Sequence, residues 1–408
     1  MKYREWIELY KKNELQGKER EQLEREIERH EAISEYLFDR EEEEIFLPGG
    51  ELPEGDEKAD EFTRQIKRTI RKAFIKLGVT VGAVTLAIVF FIIYVLPGLV
   101  SALYYNPAKE KGKNEYGGET NQMSLDMAVY SELYLPGYYR YNVQAEPKGY
   151  GNYDIVICQN VSYTGQMTNA AGKVEQGKLK LYDVNQLQPV TGNAFGWFQI
   201  ASEKGERLSD KVKEESHFFC AAGDREQATE ALEYLDENAW YMAYVTLDQM
   251  MDYESFVDYI DSHENLAQVW CAPCTSDPGG EAGVFIPGNL GFNLDMGVYG
   301  IGMSWDEERY PDLILWNDYE NGGKDTAEKI REEAFAAEHF AVMLEYMDDQ
   351  EQFREMMQIE GADLKEQAGY IRENGLTVYG FAAMMKKEDM IRLNGEEQVY
   401  EIYAQEIR

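Results

Sequence analysis

The sequence predicts an α+β protein divided by a membrane. Its parts are a cytoplasmic helical hairpin, a single transmembrane helix, an extracellular β-rich segment, and then an α+β domain with two β-α-β-like units. Three observations carry this reading. Leu77 to Leu103 reads LGVTVGAVTLAIVFFIIYVLPGLVSAL, without one charged residue. As a helix at about 1.5 Å per residue it reaches roughly 40 Å, more than the ~30 Å hydrocarbon core of a bilayer. Lys and Arg crowd its N-terminal flank. Behind it, short strand-like runs separated by turn residues give way to alternating strand and helix patterns.

The span starts too late and runs too long for a signal-peptide core. A soluble helix this apolar on every face would be unusual. Arg64, Lys67, Arg68, Arg71, Lys72 and Lys76 precede it, against Lys109, Lys111 and Lys113 after it. Lys and Arg accumulate on the cytoplasmic side, so the N-terminus is expected inside and the C-terminal part outside. Tyr94, Tyr104 and Tyr105 lie where interfacial aromatics are expected.

The net charge is −36. Residues 1–76 hold 16 Lys+Arg against 21 Asp+Glu, a net of −5, so the remainder carries −31. A part this acidic is a poor nucleic-acid binder, and the charge serves solubility. The four cysteines, Cys158, Cys220, Cys271 and Cys274, all follow the span, where disulfides are permitted. Four cysteines allow three pairings, and spacing does not choose among them.

In residues 1–38, Tyr3, Trp6, Ile7 and Tyr10 fall at helical spacing, Gln16-Gly17 breaks the run, and Leu23, Ile27, Ile33 and Leu37 form a second stripe. This amphipathic hairpin has too little apolar surface for a core of its own, so it needs a partner. Residues 39–60, with Glu41 to Glu44 and LPGGELPEGDE, read as an acidic flexible linker. Residues 61–76 form a basic juxtamembrane helix suited to anionic lipid, and 77–103 cross the bilayer.

Residues 104–121 read as a polar stalk. The β-rich segment is 122–202, with strands expected at Met123–Leu135, Tyr138–Gln144, Asp154–Cys158, Lys178–Tyr182 and Phe195–Ala201. The α+β domain is 226–408. Helices are expected at Glu226–Leu235, Tyr253–Ser262, Asp325–Glu345, 350–358, 363–373 and Glu388–Leu393. Strands are expected at Trp240–Leu247, Ala267–Cys271, Leu376–Met384 and Val399–Gln405. The β-α-β order thus occurs at 240–271 and again at 376–405.

Several stretches resemble the bacterial sigma-factor regulator family, membrane-bound anti-sigma factors with paired N- and C-terminal regulator domains. On the N-terminal side these are TRQIKRTIRKAFIKLG, the span, and SELYLPGYYRYNVQAEPKGYGNYDIVI. On the C-terminal side they are AWYMAYVTLDQMMDYESFVDYI, EHFAVMLEYMDDQEQF and LKEQAGYIRENGLTVYGFAAMMKKEDMIRLNGEEQVYEIYAQEI. The resemblance covers roughly 60–190 and 235–405.

It implies a single-pass protein of the bacterial cell membrane. Its cytoplasmic arm would hold an extracytoplasmic-function sigma factor inactive, and its outer part would sense an envelope ligand or protein. Trp6, Leu9, Tyr10, Leu23, Ile27, Ile33 and Leu37 are then the partner-binding residues. Many such arms carry a His…Cys-x-x-Cys zinc motif, but residues 1–76 contain no cysteine, so this arm is expected to be zinc-free. By analogy with the family, release by proteolysis within the span would fall near Pro97-Gly98.

The rival chemistry lies in Trp270-Cys271-Ala272-Pro273-Cys274, which copies the thioredoxin-type W-C-x-P-C. There the first cysteine is a low-pKa thiolate at a helix N-terminus. Here Thr275-Ser276-Asp277-Pro278-Gly279-Gly280 follows and opposes a helix. A Cys271–Cys274 disulfide, structural or labile, ranks first. Redox sensing, thiol–disulfide catalysis and a zinc site with His263 rank behind it. G-x-S-x-G, H-E-x-x-H and P-loop signatures are absent from the sequence, and no cofactor is expected. Asp248 and Asp252 flank a helix start and suit capping better than catalysis. A ligand-binding structural ectodomain, with an arm that only dimerises, is the third reading.

Overall fold

The computed structural model describes residues 17, 20, 25, 27–29, 56–113, 119–161, 166–187, 207–210, 225–277, 289–294, 303–315, 324–359 and 363–407. Two compact units are distinguished, Met1–Leu86 and Ala87–Arg408. In the first, the described residues are chiefly the start of a long helix, α1 (Asp56–Phe90). The helix carries on through one π turn, Phe91–Val95, and a short α2, Leu96–Ser101. Phe62–Ser101 is long and apolar enough to cross a membrane, with a mean hydropathy of 2.7, and none of its most apolar window is buried.

In the second unit, β1 (Glu110–Lys113) and β2 (Glu119–Asn121) pair directly after the span. The described residues of the segment that reads as a stalk, 104–113 and 119–121, are therefore folded, with Tyr105 and Pro107 buried. Then comes α3, Gln122–Tyr134. This corrects the strand expected at Met123–Leu135. Met123-Ser124-Leu125-Asp126-Met127 alternates apolar and polar residues, which imitates a strand. But Asn121 caps the helix by accepting from the Ser124 N–H at 2.9 Å, and Met, Leu and Ala favour helix. The helix is buried almost all round, so it shows no one-sided stripe.

Four strands follow as an antiparallel meander: β3 (Tyr138–Gly149), β4 (Asn152–Val161), β5 (Met167–Glu175) and β6 (Lys178–Leu181). Strand β5, TNAAGKVE after its Met, is rich in residues of low β propensity and was not expected. Phe195–Ala201 lies outside the described residues.

The second sheet contains β7 (Tyr241–Asp252), β8 (Ala267–Pro273), β9 (Phe292–Asn293), β10 (Thr377–Met385) and β11 (Val399–Glu406). Its order is β11-β7-β10-β8-β9 and every pairing is antiparallel. Helix α4 (Arg225–Glu233) precedes it, and α5 (Tyr253–Asp261) joins β7 to β8. Helices α6 (Lys324–Lys329), α7 (Glu333–Asp349), α8 (Glu351–Met357) and α9 (Leu364–Asn374) lie between β9 and β10. Finally α10 (Lys387–Asn394) joins β10 to β11.

The two expected β-α-β units are thus both present, and they interleave. Strand β10 lies between β7 and β8, while β7 lies between β10 and β11. This is the split β-α-β arrangement of ferredoxin-like folds, with extra helices inserted in the middle. Strands β7 and β10 are buried nearly end to end, as strands covered on both faces must be. The single helix expected at Asp325–Glu345 is two. The chain turns at buried Ile330, whose carbonyl accepts the Tyr253 hydroxyl at 2.5 Å. Residues from α3, β3 to β5 and the second sheet join one continuous hydrophobic cluster.

Candidate junction between the membrane span and the folded body

Pro97 shapes the C-terminal end of the span. In the π turn, the Leu96 N–H bonds the Phe91 carbonyl five residues back. The next bond in that register would join the residue 97 N–H to the Ile92 carbonyl, but proline has no N–H. The vacated carbonyl is taken by a side chain from the body: the Tyr150 hydroxyl donates to Ile92 O at 2.8 Å. This donor substitutes for the missing backbone bond, a contribution of about 1 kcal/mol.

Tyr150 stands at the tip of the β3–β4 hairpin. The register pairs Gly149 with Asn152, leaving Tyr150-Gly151 as a two-residue loop. Both loop residues have positive φ, 54° and 74°, as the mirror-image turn of tight hairpins requires. Gly151 also has no room for a side chain, since a Cβ would lie 2.8 Å from the Tyr104 ring. Its N–H donates to Ser101 Oγ at 2.9 Å, and that hydroxyl donates to Pro97 O at 2.7 Å. The hairpin tip therefore holds the last turns of the span through two bonds, Tyr150 to Ile92 and Gly151 to Ser101, the second extended to Pro97 by the Ser101 hydroxyl. From Ile92 to Ser101 the helix advances about 13 Å, so the tip runs alongside that length.

A second polar cluster secures the chain where it leaves the span. Tyr105 is only 5% exposed, and its hydroxyl donates to Asp126 Oδ2 at 2.6 Å. Asp126, on α3, is fully buried. Its Oδ1 accepts from the Tyr346 hydroxyl of α7 at 2.6 Å and from Gln122 Nε2 at 2.7 Å. Gln122 Nε2 also lies 3.0 Å from Gln350 Oε1. Burial raises the Asp126 carboxyl to about 6, while the three donors pull the other way. Tyr105 is thus not the interfacial aromatic expected of it. Tyr94, 70% exposed on the span, does suit that place.

The backbone strengthens the same docking. Pro107 O accepts from Met123 N–H and Lys109 O from Gln122 N–H, so the departing strap caps the first turn of α3. A cavity of about 740 Å3 opens here. Gly98, Ser101, Tyr104, Lys109, Asp349 and Glu351 are among the residues that line it. Tyr105 and Gln122, both bonded to Asp126, also line it.

Of the expected partner-binding residues, Trp6, Leu9, Tyr10, Leu23, Ile33 and Leu37 lie outside the described residues. Ile27 is helical and half-buried. Cys158, Cys271 and Cys274 are free thiols, and Cys220 lies outside the described residues. This corrects the expected Cys271–Cys274 bridge. Cys271 is on extended β8, which ends at Pro273 just before Cys274, and an extended run of three residues separates Cα atoms by roughly 10 Å, beyond disulfide reach. The described residues that follow, 275–277, form no helix that could activate a thiolate. Burial pushes the Cys271 thiol well up and the Cys274 thiol up to about 12.

His263 bonds Glu396 and the Tyr259 carbonyl. Among the described residues no group of three or more His, Cys, Asp or Glu is placed to hold a metal ion. Asp252 caps α5 through Ser255 N–H, as expected. Asp248 instead accepts from the Ser209 N–H and hydroxyl, tying 207–210 to β7.

Sequence reasoning missed Tyr150, Tyr105, Asp126 and Tyr346. Two signals were present. Asp126 is a lone charge in an apolar run, and Lys148-Gly149-Tyr150-Gly151-Asn152 is a tight-turn sequence with a large aromatic at its tip. Neither identifies its partner.

No curated protein and no solved structure matches the chain. Residues 232–404 match the family model described as sigma factor regulator C-terminal. The match runs from the end of α4 through β11, and so takes in the interleaved sheet together with Tyr346 and Gln350 of the junction. Behind a helix long enough to cross a membrane, then, residues 232–404 are similar to the C-terminal domain of sigma factor regulators.

Proposed function

We propose that the chain is a single-pass anti-sigma factor of a bacterial cell membrane. Its N-terminal arm, residues 1–38, sequesters an extracytoplasmic-function sigma factor in the cytoplasm. Its C-terminal body faces outward and receives an envelope signal. The observation that carries this reading is the match to the regulator domain at 232–404, in one chain with a membrane-length helix. The basic flank from Arg64 to Lys76 supports the orientation. The apolar stripes that the sequence places along the arm support occlusion as the mechanism. Trp6, Leu9, Tyr10, Leu23, Ile27, Ile33 and Leu37 bury against the sigma factor and cover its polymerase-binding surface. Such burial contributes roughly 25 cal/mol per Å2 before ordering costs. The junction is the route by which the body acts on the span, because it joins them through side chains and not through the chain alone.

The redox reading has less support, since both thiols of the W-C-x-P-C run are buried with raised pKa values.

The test is made on the full chain in cells that carry a reporter for the sigma factor's promoters. Trp6→Ala and Leu23→Glu are expected to raise reporter output severalfold at unchanged protein level, and to abolish co-purification of the sigma factor. Unchanged output at normal abundance would sink the arm as inhibitor. Protease added to intact cells is expected to digest the C-terminal body; digestion only after lysis reverses the orientation.

A further inference from the structure

We propose that Asp126 is a proton-binding site which couples the acidity on the body's side of the membrane to the docking of Tyr104–Asn106, the segment leaving the span. The geometry has three parts. First, the carboxylate is fully buried, and the side-chain bonds it receives come from three elements of the fold. They are the strap through Tyr105, α3 itself through Gln122, and α7 through Tyr346. Second, Tyr105 reaches Asp126 three residues after Ala102, where the span helix ends. A change at the carboxyl is thus felt almost at the membrane surface. Third, the carboxylate is one residue away from solvent: Tyr105 and Gln122, which donate to it, both line the 740 Å3 cavity.

The surrounding groups set the sign. Lys111 of β1 is half-buried and attracted by Asp126, and its own charge is disfavoured by burial. Tyr310 packs edge-on against Tyr346 at 5.0 Å and donates to Asp349, which Arg309 also pairs. Asp306 and Arg309 act on Lys111 with opposite signs. Phe353 of α8 covers the Tyr105 ring at 5.8 Å. No full cation is hydrogen-bonded to Asp126 among the described residues, so desolvation outweighs the three donors and the docked carboxyl is held at about 6.

Undocking Tyr105 removes one donor, which acts upward, and admits cavity water to the carboxyl, which acts downward toward the ordinary 3.8; the second effect is the larger, as burial outweighs the donors in the docked state. The docked state therefore binds the proton more tightly, and acid favours docking. Raising the pH through 6 loosens the strap. The docking constant changes by up to roughly 100-fold between the acid and alkaline limits. On protonation the carboxyl becomes a donor. Gln122 Nε2 cannot accept, so one tyrosine hydroxyl turns to receive the new O–H.

The test uses the full chain in lipid nanodiscs, and none of its readouts involves a sigma factor, so it stands apart from the proposed function. Infrared difference spectra are recorded from about pH 4 to about pH 8. Amide exchange of peptides covering residues 101–109 is followed in parallel, corrected for its intrinsic pH dependence. The expected result is a protonated-carboxyl band that titrates near 6 and is removed by Asp126→Asn. Exchange at 101–109 is expected to slow on acidification with the same midpoint. Tyr105→Phe removes one donor from the ionised form and is expected to move the midpoint upward. A carboxyl midpoint near the ordinary aspartate value overturns the proposal, as does exchange at 101–109 that ignores the carboxyl midpoint. Should Asp126→Asn fail to fold, an unmoved midpoint in Tyr105→Phe overturns it equally.

Discussion

The second sheet and the junction are held by opposite kinds of force. Strands β7 and β10 are apolar almost throughout and covered on both faces, and the interleaved order puts each β-α-β unit astride a strand of the other. Their stability comes from area removed from water, which is insensitive to any one polar atom. The junction depends on a few directed bonds: Tyr150 to Ile92, Gly151 to Ser101, and three donors on Asp126. Directed bonds are worth about 1 kcal/mol each and can be switched singly.

Three substitutions probe that contrast, from the largest expected effect to the smallest. Trp270→Ala strikes the sheet. The indole is fully buried, and its N–H donates to the Glu132 carbonyl at 2.6 Å, so the change should cost about 3–5 kcal/mol of body stability. Denaturant titration of the purified chain measures it. A loss below about 1 kcal/mol would show that the sheet, too, rests on scattered weak contacts.

Tyr346→Phe strikes the deeper half of the junction. It leaves the buried Asp126 one donor short, and about 1–3 kcal/mol should be lost. The loss should be greatest where the carboxyl is ionised, above about pH 6, and smaller in acid. A pH-independent loss would point to ring packing alone.

Tyr150→Phe is the mildest. It deletes the one hydroxyl that fills the bond Pro97 cannot make, with an expected cost of about 0.5–1.5 kcal/mol. The global denaturation midpoint should hardly move. Amide exchange near Ile92 to Leu96 in nanodiscs should quicken, because the π turn loses its outside donor. If exchange there is unchanged, the hairpin tip rests on the span without supporting it.

The parts legible in the sequence share one property, a local pattern of residue types. The span announced itself by unbroken apolarity, and β3, β4, β7, β8, β10 and β11 by strand-like runs of branched and aromatic residues. Helix α3 was misread because serine and aspartate alternate with apolar residues over one turn while the helix is buried on all sides. The free thiols were misread for a related reason. The letters of W-C-x-P-C specify a motif, yet its chemistry depends on whether a helix follows, and here the motif lies on a strand.

By itself, then, the chain's order of residues determined the membrane-length helix, the run of strands and helices, and the two β-α-β units, because each is written in local spacing. Tertiary structure alone decided that those units interlock, that a hairpin tip reaches back to a carbonyl freed by proline, and that Asp126 meets Tyr346 across 220 residues. Hydrogen bonds between distant side chains leave no periodic trace, since a single donor and a single acceptor suffice and nothing between them need change.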